Sequence, residues 1–555
     1  MKFGDDNRRI LEGDEGAQLR SLYKSMGYTN DDLRRPMIGV VNSWNTACSG
    51  QFNLRAVAES VKNGIYRAGG TPVEFGTIGP CDGIGIGNNG MKYILPSRDL
   101  IAQSVEVMAS AHSLDAVVLL GSCDKIVPGL LMAAARLNIP AILVPGGPML
   151  PGKFENKFID VNQVMINLGA LYSGKLTKEK FKELERVACP TSGSCQMMGT
   201  ANTFCSFSEA IGMSLPSSAA IPAVYSERLH SAQDAGKKIL ELFQKNIRPR
   251  DIMTKEAIIN GIRVAMAVGG STNLILHTMA LVNSLDIDFK IDEFNDISDS
   301  TPYLCSLAPA DNSKTMIDYY FAGGAAVVMK ELESLLDLNC ITVSGNTLKE
   351  NLKVIINKDN EMIRPISRSF RNTGGLAILR GNLAPDSAVT RPAVIAKECR
   401  QMCGPAKVFN SENEFFKAIN KSAIKEGDVI VVRYEGPRGG PGMREMFIPL
   451  EIIKGMGLEG KVAIITDGRF SGSNSGSFVG HICPEAADGG PIASVKDGDI
   501  IDIDIDKKTI NMRVSDDEIK NRLKNISEVK RDIGNGYLSF YVKHVSPSSK
   551  GAVLI

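Results

Sequence analysis

The sequence lacks any long apolar segment. None of its hydrophobic runs approaches the ~20 residues that a membrane-spanning helix needs, and the first twenty residues are charged and have no apolar centre. We therefore expect a cytoplasmic protein without a signal peptide or a membrane partner. The 63 basic and 62 acidic residues leave a formal net charge of +1. Without a basic excess or a Lys/Arg-rich block, nucleic acid is not expected as a partner either.

Histidine is scarce, and disulfides are not expected. The five histidines are not spaced as a pair on one helix face, which argues against a zincin-type zinc site. Eleven cysteines are an odd number spread over a long chain, a usage that is unlike a disulfide framework. Any metal should therefore be held by thiolate and oxygen ligands.

The first two-thirds of the chain alternates strand-like and helix-like segments. Residues 37–41, 116–120 and 141–144 are typical of buried strands, whereas 54–67 and 130–137 have helical character. This alternation predicts an α/β fold with a doubly wound, mostly parallel sheet. A chain of 555 residues is too long for one core, so at least one further domain must follow.

Short strand-like segments come closer together after about residue 360. In the segment 500–505, Ile501, Ile503 and Ile505 alternate with aspartates, the period-two pattern of a strand with one wet face. Closely spaced strands with Gly/Asp turns predict a β-rich, barrel-like domain with flanking helices. We place the domains at 1–360 and 361–555.

A thiol, a carboxylate and an amine follow one predicted strand directly. Cys123, Asp124 and Lys125 come after the run 116–120, at the strand end where ligands of α/β sheets collect. A soft metal ligand, a hard metal ligand and a titratable base side by side predict a ligand-binding site here. The alternative is a small apolar cysteine capping the strand, with Asp124 and Lys125 paired at the surface.

Residues 85–90 satisfy the G-x-G-x-x-G pattern of dinucleotide-binding loops. That motif must follow a strand and open a helix, and we expect residues 91–95 to separate it from a helix that begins at Pro96. The preferred interpretation is a tight loop that presents Asp82 to a ligand. The alternative for Asp82 is an ordinary turn-forming residue before glycine.

Further polar loops carry candidate groups. Cys189 and Cys195 bound the turn C-P-T-S-G-S-C, ahead of a helix predicted to start within 196–204, whose positive end would favour thiolates. Glu445 ends the Gly/Pro-rich loop 434–445. Ser471 lies in a Gly-flanked turn, either as a turn former or as a hydroxyl activated by a neighbouring cation. Six further cysteines are interpreted as structural: Cys205, Cys305, Cys340, Cys399, Cys403 and Cys483.

Taken together, these motifs resemble the dihydroxy-acid dehydratase/6-phosphogluconate dehydratase family nearly from end to end. The motifs in order are N-S-W-N at Asn42, C-D-G-I at Cys81, L-P-S-R at Leu95, C-D-K-x-x-P-G at Cys123, L-N-I-P-A-I-L-V-P-G-G-P-M at Leu137, T-A-N-T at Thr200, G-G-S-T-N at Gly269, G-G-L-A-I-L-x-G-N-L-A-P at Gly374, G-G-P-G-M-R-E at Gly439, D-G-R-F-S-G at Asp467 and P-E-A-A-x-G-G-P-I at Pro484.

The resemblance implies two cofactors and one base. It implies an iron–sulfur cluster on Cys123 and Cys195, of the 2Fe–2S or the 4Fe–4S type. It also implies Mg²⁺ held by four residues, the lysine among them in carboxylated form: Asp82, Asp124, Glu445 and Lys125. Ser471 matches the family's proposed general base.

One position departs from the family pattern. Many members place a third cluster cysteine where this chain has Gly50, and the nearest thiol in sequence is Cys48, two residues earlier. Other members also have glycine there. The cluster type and the role of Cys48 are therefore left open, because ligand geometry is strictly set.

The reaction implied is elimination of water from a 2,3-dihydroxy carboxylate to give a 2-keto acid. The loops at 442–445 and 467–471 resemble the branched-chain branch, which predicts 2,3-dihydroxy-3-methylbutanoate and its 3-methylpentanoate homologue, intermediates toward valine and isoleucine. A sugar-acid dehydratase is the alternative, because residues 472–476 depart from the commoner G-G-T-R-G. A non-catalytic iron–sulfur protein is more remote, since electron transfer needs no hard-cation site. The resemblance also implies a homodimer or a dimer of dimers.

Overall fold

The computed structural model describes residues 11–172, 174–419, 424–470, 476–526 and 533–555. None of the helices in these ranges combines the length and the apolar character needed to cross a bilayer. The α-helices are Ala17–Ser25, Asn30–Arg34, Leu54–Arg67, Asp82–Gly85, Met91–Ala111, Ile126–Leu137, Asn162–Tyr172, Lys178–Val187, Thr200–Ala210, Ser226–Lys245, Pro249–Ile252, Lys255–Ala267, Asn273–Leu285, Glu293–Asp299, Met316–Phe321, Gly324–Glu331, Leu348–Leu352, Glu412–Ile419, Phe447–Gly455, Asp516–Lys524 and Tyr537–His544.

A four-stranded parallel sheet forms the centre of the N-terminal half. Its strands are β1 (Met37–Asn42), β2 (Thr71–Gly76), β3 (Ala116–Gly121) and β4 (Ala141–Pro145), in the order β2-β1-β3-β4. Every residue of β1, β3 and β4 is buried, as expected for parallel strands covered on both faces by helices. The predicted α/β sheet is confirmed. A small hairpin, β5 (Gly152–Phe154) and β6 (Lys157–Ile159), follows.

The C-terminal half contains a closed eight-stranded barrel, which confirms the barrel-like prediction. Its strands run in the spatial order β10-β11-β12-β8-β7-β14-β13-β9. In β13, Ile501 and Ile503 are buried while Asp502 and Asp504 are half-exposed, the alternation expected of a strand with one wet face. The strands are β7 (Ala377–Gly381), β8 (Ala384–Thr390), β9 (Gln401–Phe409), β10 (Val429–Val432), β11 (Ala463–Thr466), β12 (Ser477–Cys483), β13 (Ile500–Asp504) and β14 (Thr509–Met512).

One predicted helix start is wrong. The helix predicted from Pro96 begins at Met91, so Pro96 lies inside it and the loop 85–90 does open a helix. Burial of Met91, Ile94 and Leu95 offsets the cost of the interior proline, about 3 kcal/mol. The helix predicted to start within 196–204 begins at Thr200, inside that range.

The six cysteines read as structural differ in exposure. Cys205, Cys305 and Cys483 are buried, as a packing role requires. Cys403, by contrast, is exposed on β9, where its sulfur lies 3.4 Å from the Arg513 guanidinium. Its place in a period-two strand explains the difference, because alternate residues of β9 face solvent.

Burial of Glu209 makes the stability of the N-terminal half depend on pH. The carboxylate accepts hydrogen bonds from the backbone N–H groups of Ser217 (2.9 Å) and Ala219 (2.8 Å), but desolvation raises its pKa to about 7 from 4.5. Between pH 4.5 and about pH 7, the folded state therefore binds more protons than the unfolded state does. Stability from this group is complete below pH 4.5 and is lost as the pH rises through 7.

The free energy of unfolding of the wild type should fall between pH 5 and pH 8. We expect this fall to be smaller in Glu209→Gln, by up to about 3 kcal/mol. Urea titrations of both proteins at the two pH values measure this difference. Exposed Glu183→Gln is the control and should follow the wild type. Equal pH dependence in Glu209→Gln and wild type would contradict the assignment.

Candidate functional site

Three carboxylates from distant parts of the chain meet at the carboxyl edge of the parallel sheet. Asp82 begins the short helix Asp82–Gly85, Asp124 follows β3, and Glu445 comes from the barrel half just before the helix Phe447–Gly455. One oxygen from each lies within 4.8 Å of the others. The structure thus brings together the three carboxylates that the sequence predicted as metal ligands.

The electrostatics of this set fit a bound cation. Burial, with the negative charges of Asp82 and then Glu445, raises the pKa of Asp124 to about 7, against the lowering effect of Lys125. Among the described residues, no donor reaches the buried Oδ1 of Asp82. Three close carboxylates and an orphaned oxygen are the donor set that hard divalent cations prefer.

Lys125 lies inside this set rather than at the surface. Its Nζ is 2.7 Å from Oδ2 of Asp82 and 3.6 Å from Oδ2 of Asp124, and the side chain is 1% exposed. The alternative of a surface Asp124–Lys125 pair is therefore wrong. The residues on either side of Lys125 in this set come from both halves of the protein, because Arg469 of the barrel half contacts Asp82 and Glu445.

A fully buried arginine, Arg469, supports the carboxylates from the barrel side. Its Nη1 is 3.1 Å from Oε2 of Glu445, and its Nη2 is 4.0 Å from Oδ2 of Asp82. Its Nε donates to the Met443 carbonyl at 2.6 Å. Sequence analysis assigned no role to Arg469, although a charged residue in a Gly-rich loop after a buried strand was the available signal.

Hydrogen-bonded side chains extend from Arg469 toward Asp124. Arg469 Nη1 donates to Asn273 Oδ1 (3.3 Å), and Asn273 Nδ2 donates to Thr200 Oγ1 (2.9 Å). A hydrogen bond from Thr200 lowers the pKa of Asp124. Both residues stand in motifs noted in the sequence, but side-chain hydrogen bonds between separate helices leave no periodic signal.

The thiols of Cys123 and Cys195 lie beside the carboxylates. Cys123 follows β3, and Cys195 lies in the turn ahead of the helix Thr200–Ala210, five residues before the helix begins. Burial is the main cause that raises the pKa of Cys195 well above its ordinary value, and the negative charge of Asp124 adds to it. The sulfur of Cys48 is 3.5 Å from that of Cys123.

His481 is a buried group that the sequence analysis missed. Desolvation, with the charges of Arg469 and Lys125, lowers its pKa to about 3, so the imidazole is neutral. Its Nε2 has no partner among the described residues, and its backbone, with φ of 54°, donates to the Gly468 carbonyl at 2.8 Å. A lone histidine in an apolar strand gave no sequence signal.

Ser471, the predicted base, lies outside the described residues. The described chain reaches Phe470, whose carbonyl accepts a hydrogen bond from Thr272 Oγ1. The residue before it, Arg469, is the one that pairs with Glu445. The role of Ser471 therefore remains a prediction.

A buried carboxylate set at the edge of a parallel sheet, completed by residues from a β-barrel, is typical of a metal-assisted enzyme. Comparison with known proteins gives the class more closely. The sequence profile of the dihydroxy-acid/6-phosphogluconate dehydratase N-terminal region matches residues 35–351, and that of the C-terminal region matches residues 361–552. The chain belongs to this family and is a hydro-lyase.

Similar proteins extend over nearly the whole chain. A dihydroxy-acid dehydratase of Caldicellulosiruptor saccharolyticus is 51% identical over 547 residues, 98% of this chain and 99% of the relative. Dihydroxy-acid dehydratases of Caldanaerobacter subterraneus and Acetivibrio thermocellus are each 50% identical, and each alignment covers 98% of this chain with 98% and 99% of the relative.

Proposed function

We propose that the protein removes water from 2,3-dihydroxy-3-methylbutanoate and its 3-methylpentanoate homologue, giving the 2-keto acids of valine and isoleucine synthesis. The observation that carries the proposal is the convergence of Asp82, Asp124 and Glu445 beside the half-buried thiols of Cys123 and Cys195. Relatives about 50% identical are dihydroxy-acid dehydratases, which supports the same substrate class.

The carboxylates and thiols would hold two groups. Asp82, Asp124, Glu445 and carboxylated Lys125 would bind Mg²⁺, and Cys123 with Cys195 would bind an iron–sulfur cluster. When bound, Mg²⁺ stabilises negative charge at the substrate carboxylate and C2 oxygen, and an iron with an open position acts as a Lewis acid on the C3 hydroxyl. Carboxylation matters because an ammonium at Nζ would repel the cation, whereas a carbamate binds it.

The remaining steps belong to side chains of this protein. Ser471, as the alkoxide, removes the proton from C2, and the C2–H electron pair forms the C2–C3 double bond as the C3–O bond breaks with its electron pair on oxygen. The proton held by Ser471 then passes to the departing hydroxide, which leaves as water and restores the alkoxide. The enol so formed tautomerises to the 2-keto acid. Arg469 holds Glu445 in place, and the burial of the site excludes bulk water, which strengthens each charge interaction.

Turnover of diol acids tests this proposal. We expect anaerobically purified, cluster-reconstituted enzyme with Mg²⁺ to form keto acid from 2,3-dihydroxy-3-methylbutanoate with kcat/KM at least about tenfold above that for arabinonate, xylonate or gluconate, because pocket contacts discriminate by 1–3 kcal/mol. Chelation of Mg²⁺ should abolish turnover. If only a sugar acid is turned over, the protein is a sugar-acid dehydratase instead. If no substrate is turned over although the cluster is intact, the proposed catalytic activity is wrong.

We extend the proposal to the organisation of the protein. Domains at 1–360 and 361–555 would each supply part of the site, with Glu445 and Ser471 from the second. The enzyme would act as a homodimer or a dimer of dimers.

A further inference from the structure

Four thiols lie together at one side of the carboxylate set. The Cys48 and Cys123 sulfurs are 3.5 Å apart, and the thiols of Cys48 and Cys81 share a hydrogen bond. Cys81 and Cys195 both lie within electrostatic range of Cys123. All four cysteines are free, and 3.5 Å is a contact between sulfurs, far longer than the ~2.05 Å of a disulfide.

Backbone hydrogen bonds hold the thiol-bearing turns together. The turn after Cys48 closes through the Gln51 N–H, which donates to the Cys48 carbonyl at 3.0 Å. The Gly193 N–H, in the turn that carries Cys195, donates to the Ser49 carbonyl at 3.1 Å. The Cys48 and Cys195 turns are thus joined directly, so the positions of their thiols are linked.

Gly50 faces the space that the thiols of Cys48 and Cys123 occupy. A Cβ atom added there would collide with the Cys123 sulfur, and the Ser194 backbone lies 3.6 Å from it. Position 50 therefore faces the thiol group, and its lack of a side chain lets the Cys123 sulfur occupy that space. Cys48, which is 1% exposed, contacts Cys123 from the neighbouring turn.

The thiols suit a cluster better than a single ion. A tetrahedral zinc with bonds of 2.3 Å would hold its sulfurs about 3.8 Å apart. Within the described part of the chain, three metal-ligating groups that all lie within 4.8 Å of one another occur only as the carboxylate set. The Cys48 and Cys123 sulfurs, 3.5 Å apart, would therefore suit one iron, and Cys195, which does not join them within 4.8 Å, would suit a second iron of the same cluster.

We propose that Cys48 is the third thiolate of the cluster site, with Cys123 and Cys195, and that Cys81 hydrogen-bonds the Cys48 sulfur without binding iron. This inference rests on the proposed function, because it assumes that a cluster is bound. Cys48 touches Cys123 directly, whereas Cys81 is joined to the group through Cys48. Cys81 also immediately precedes Asp82, on the side of the carboxylates.

The assignment fits the chemistry of the reaction. With Cys48 and Cys123 on one iron of a 2Fe–2S cluster and Cys195 on the other, the second iron would keep one open position, which binding of a hydroxyl requires. A fourth thiolate beside Asp82 would occupy that position. The hydrogen bond from Cys81 would instead tune the cluster, as hydrogen bonds to ligand sulfurs do.

Iron and acid-labile sulfide content of reconstituted variants, with electron paramagnetic resonance of the reduced protein, test the proposal. We expect Cys48→Ser and Cys48→Ala to hold at most about one-fifth of the wild-type iron, because nothing replaces the missing ligand. Cys81→Ser should keep wild-type iron with shifted g-values. The matched control Cys189→Ser, on the exposed end of the Cys195 turn, should keep both iron and spectrum.

Several outcomes would overturn the assignment. These are wild-type iron and spectrum in Cys48→Ala, loss of iron in Cys81→Ser, loss of iron in Cys189→Ser, and a wild type that binds no cluster. Circular dichroism of the metal-free variants separates loss of a ligand from loss of folding. Failure of the proposed function is distinguishable, because a wild type with a full cluster and no turnover leaves the ligand test intact.

Discussion

Replacing Asp124 with asparagine is expected to lower kcat/KM for 2,3-dihydroxy-3-methylbutanoate about a thousandfold, because the bound cation loses a charged ligand at the reacting centre. The same change should leave the metal-free protein folded. Asp124 is buried beside the carboxylates of Asp82 and Glu445, and removing its charge relieves repulsion within the set.

Thermal unfolding gives a second measurement that is independent of turnover. A ligand that binds the folded state at a hundredfold its dissociation constant stabilises that state by about 2.7 kcal/mol. We therefore expect Mg²⁺ to raise the Tm of the wild type and not that of Asp124→Asn. The control is Glu451→Gln, which removes another partly buried carboxyl, on the helix Phe447–Gly455 of the barrel half.

Two results would contradict the metal assignment of Asp124. The first is an equal rise of Tm with Mg²⁺ in Asp124→Asn and the wild type. The second is a comparable loss of activity in Glu451→Gln, which would point to general destabilisation of the buried carboxyls rather than to a ligand.

Replacing Ser471 with alanine should lower kcat by about a hundredfold to ten-thousandfold, the usual contribution of a positioned general base. Iron content and the Mg²⁺-dependent rise in Tm should stay at wild-type values, because neither proposed metal site includes Ser471. Single-turnover measurement of keto-acid formation separates the chemical step from product release.

The segment around Ser471 supplies its own control. Ser473, two residues further along the chain, is also a serine, and Ser473→Ala should retain near-normal turnover. Near-normal turnover in Ser471→Ala would exclude this residue as the base. An equal loss in both variants would assign the effect to the segment rather than to one hydroxyl.

Periodicity predicted most of the elements that position the site. The buried run 116–120 became β3, and the helix predicted at 54–67 has those bounds. Buried parallel strands are continuous apolar runs between turn residues, a pattern that local sequence carries in full. The start of the helix Met91–Ala111 was missed because packing of its apolar residues outweighs an interior proline, and packing partners are not local.

The amino-acid sequence by itself determined the two folds, the order of the polar loops at strand ends, and the family through its motifs. Tertiary structure alone decided the contacts made within the site. Arg469 pairs with Glu445, Lys125 lies between Asp82 and Asp124, and Cys48 touches Cys123 because the barrel and the sheet edge enclose them together. Secondary structure follows from short-range patterns, whereas these pairs join residues far apart in the chain, and burial gives their charges and thiols their chemistry.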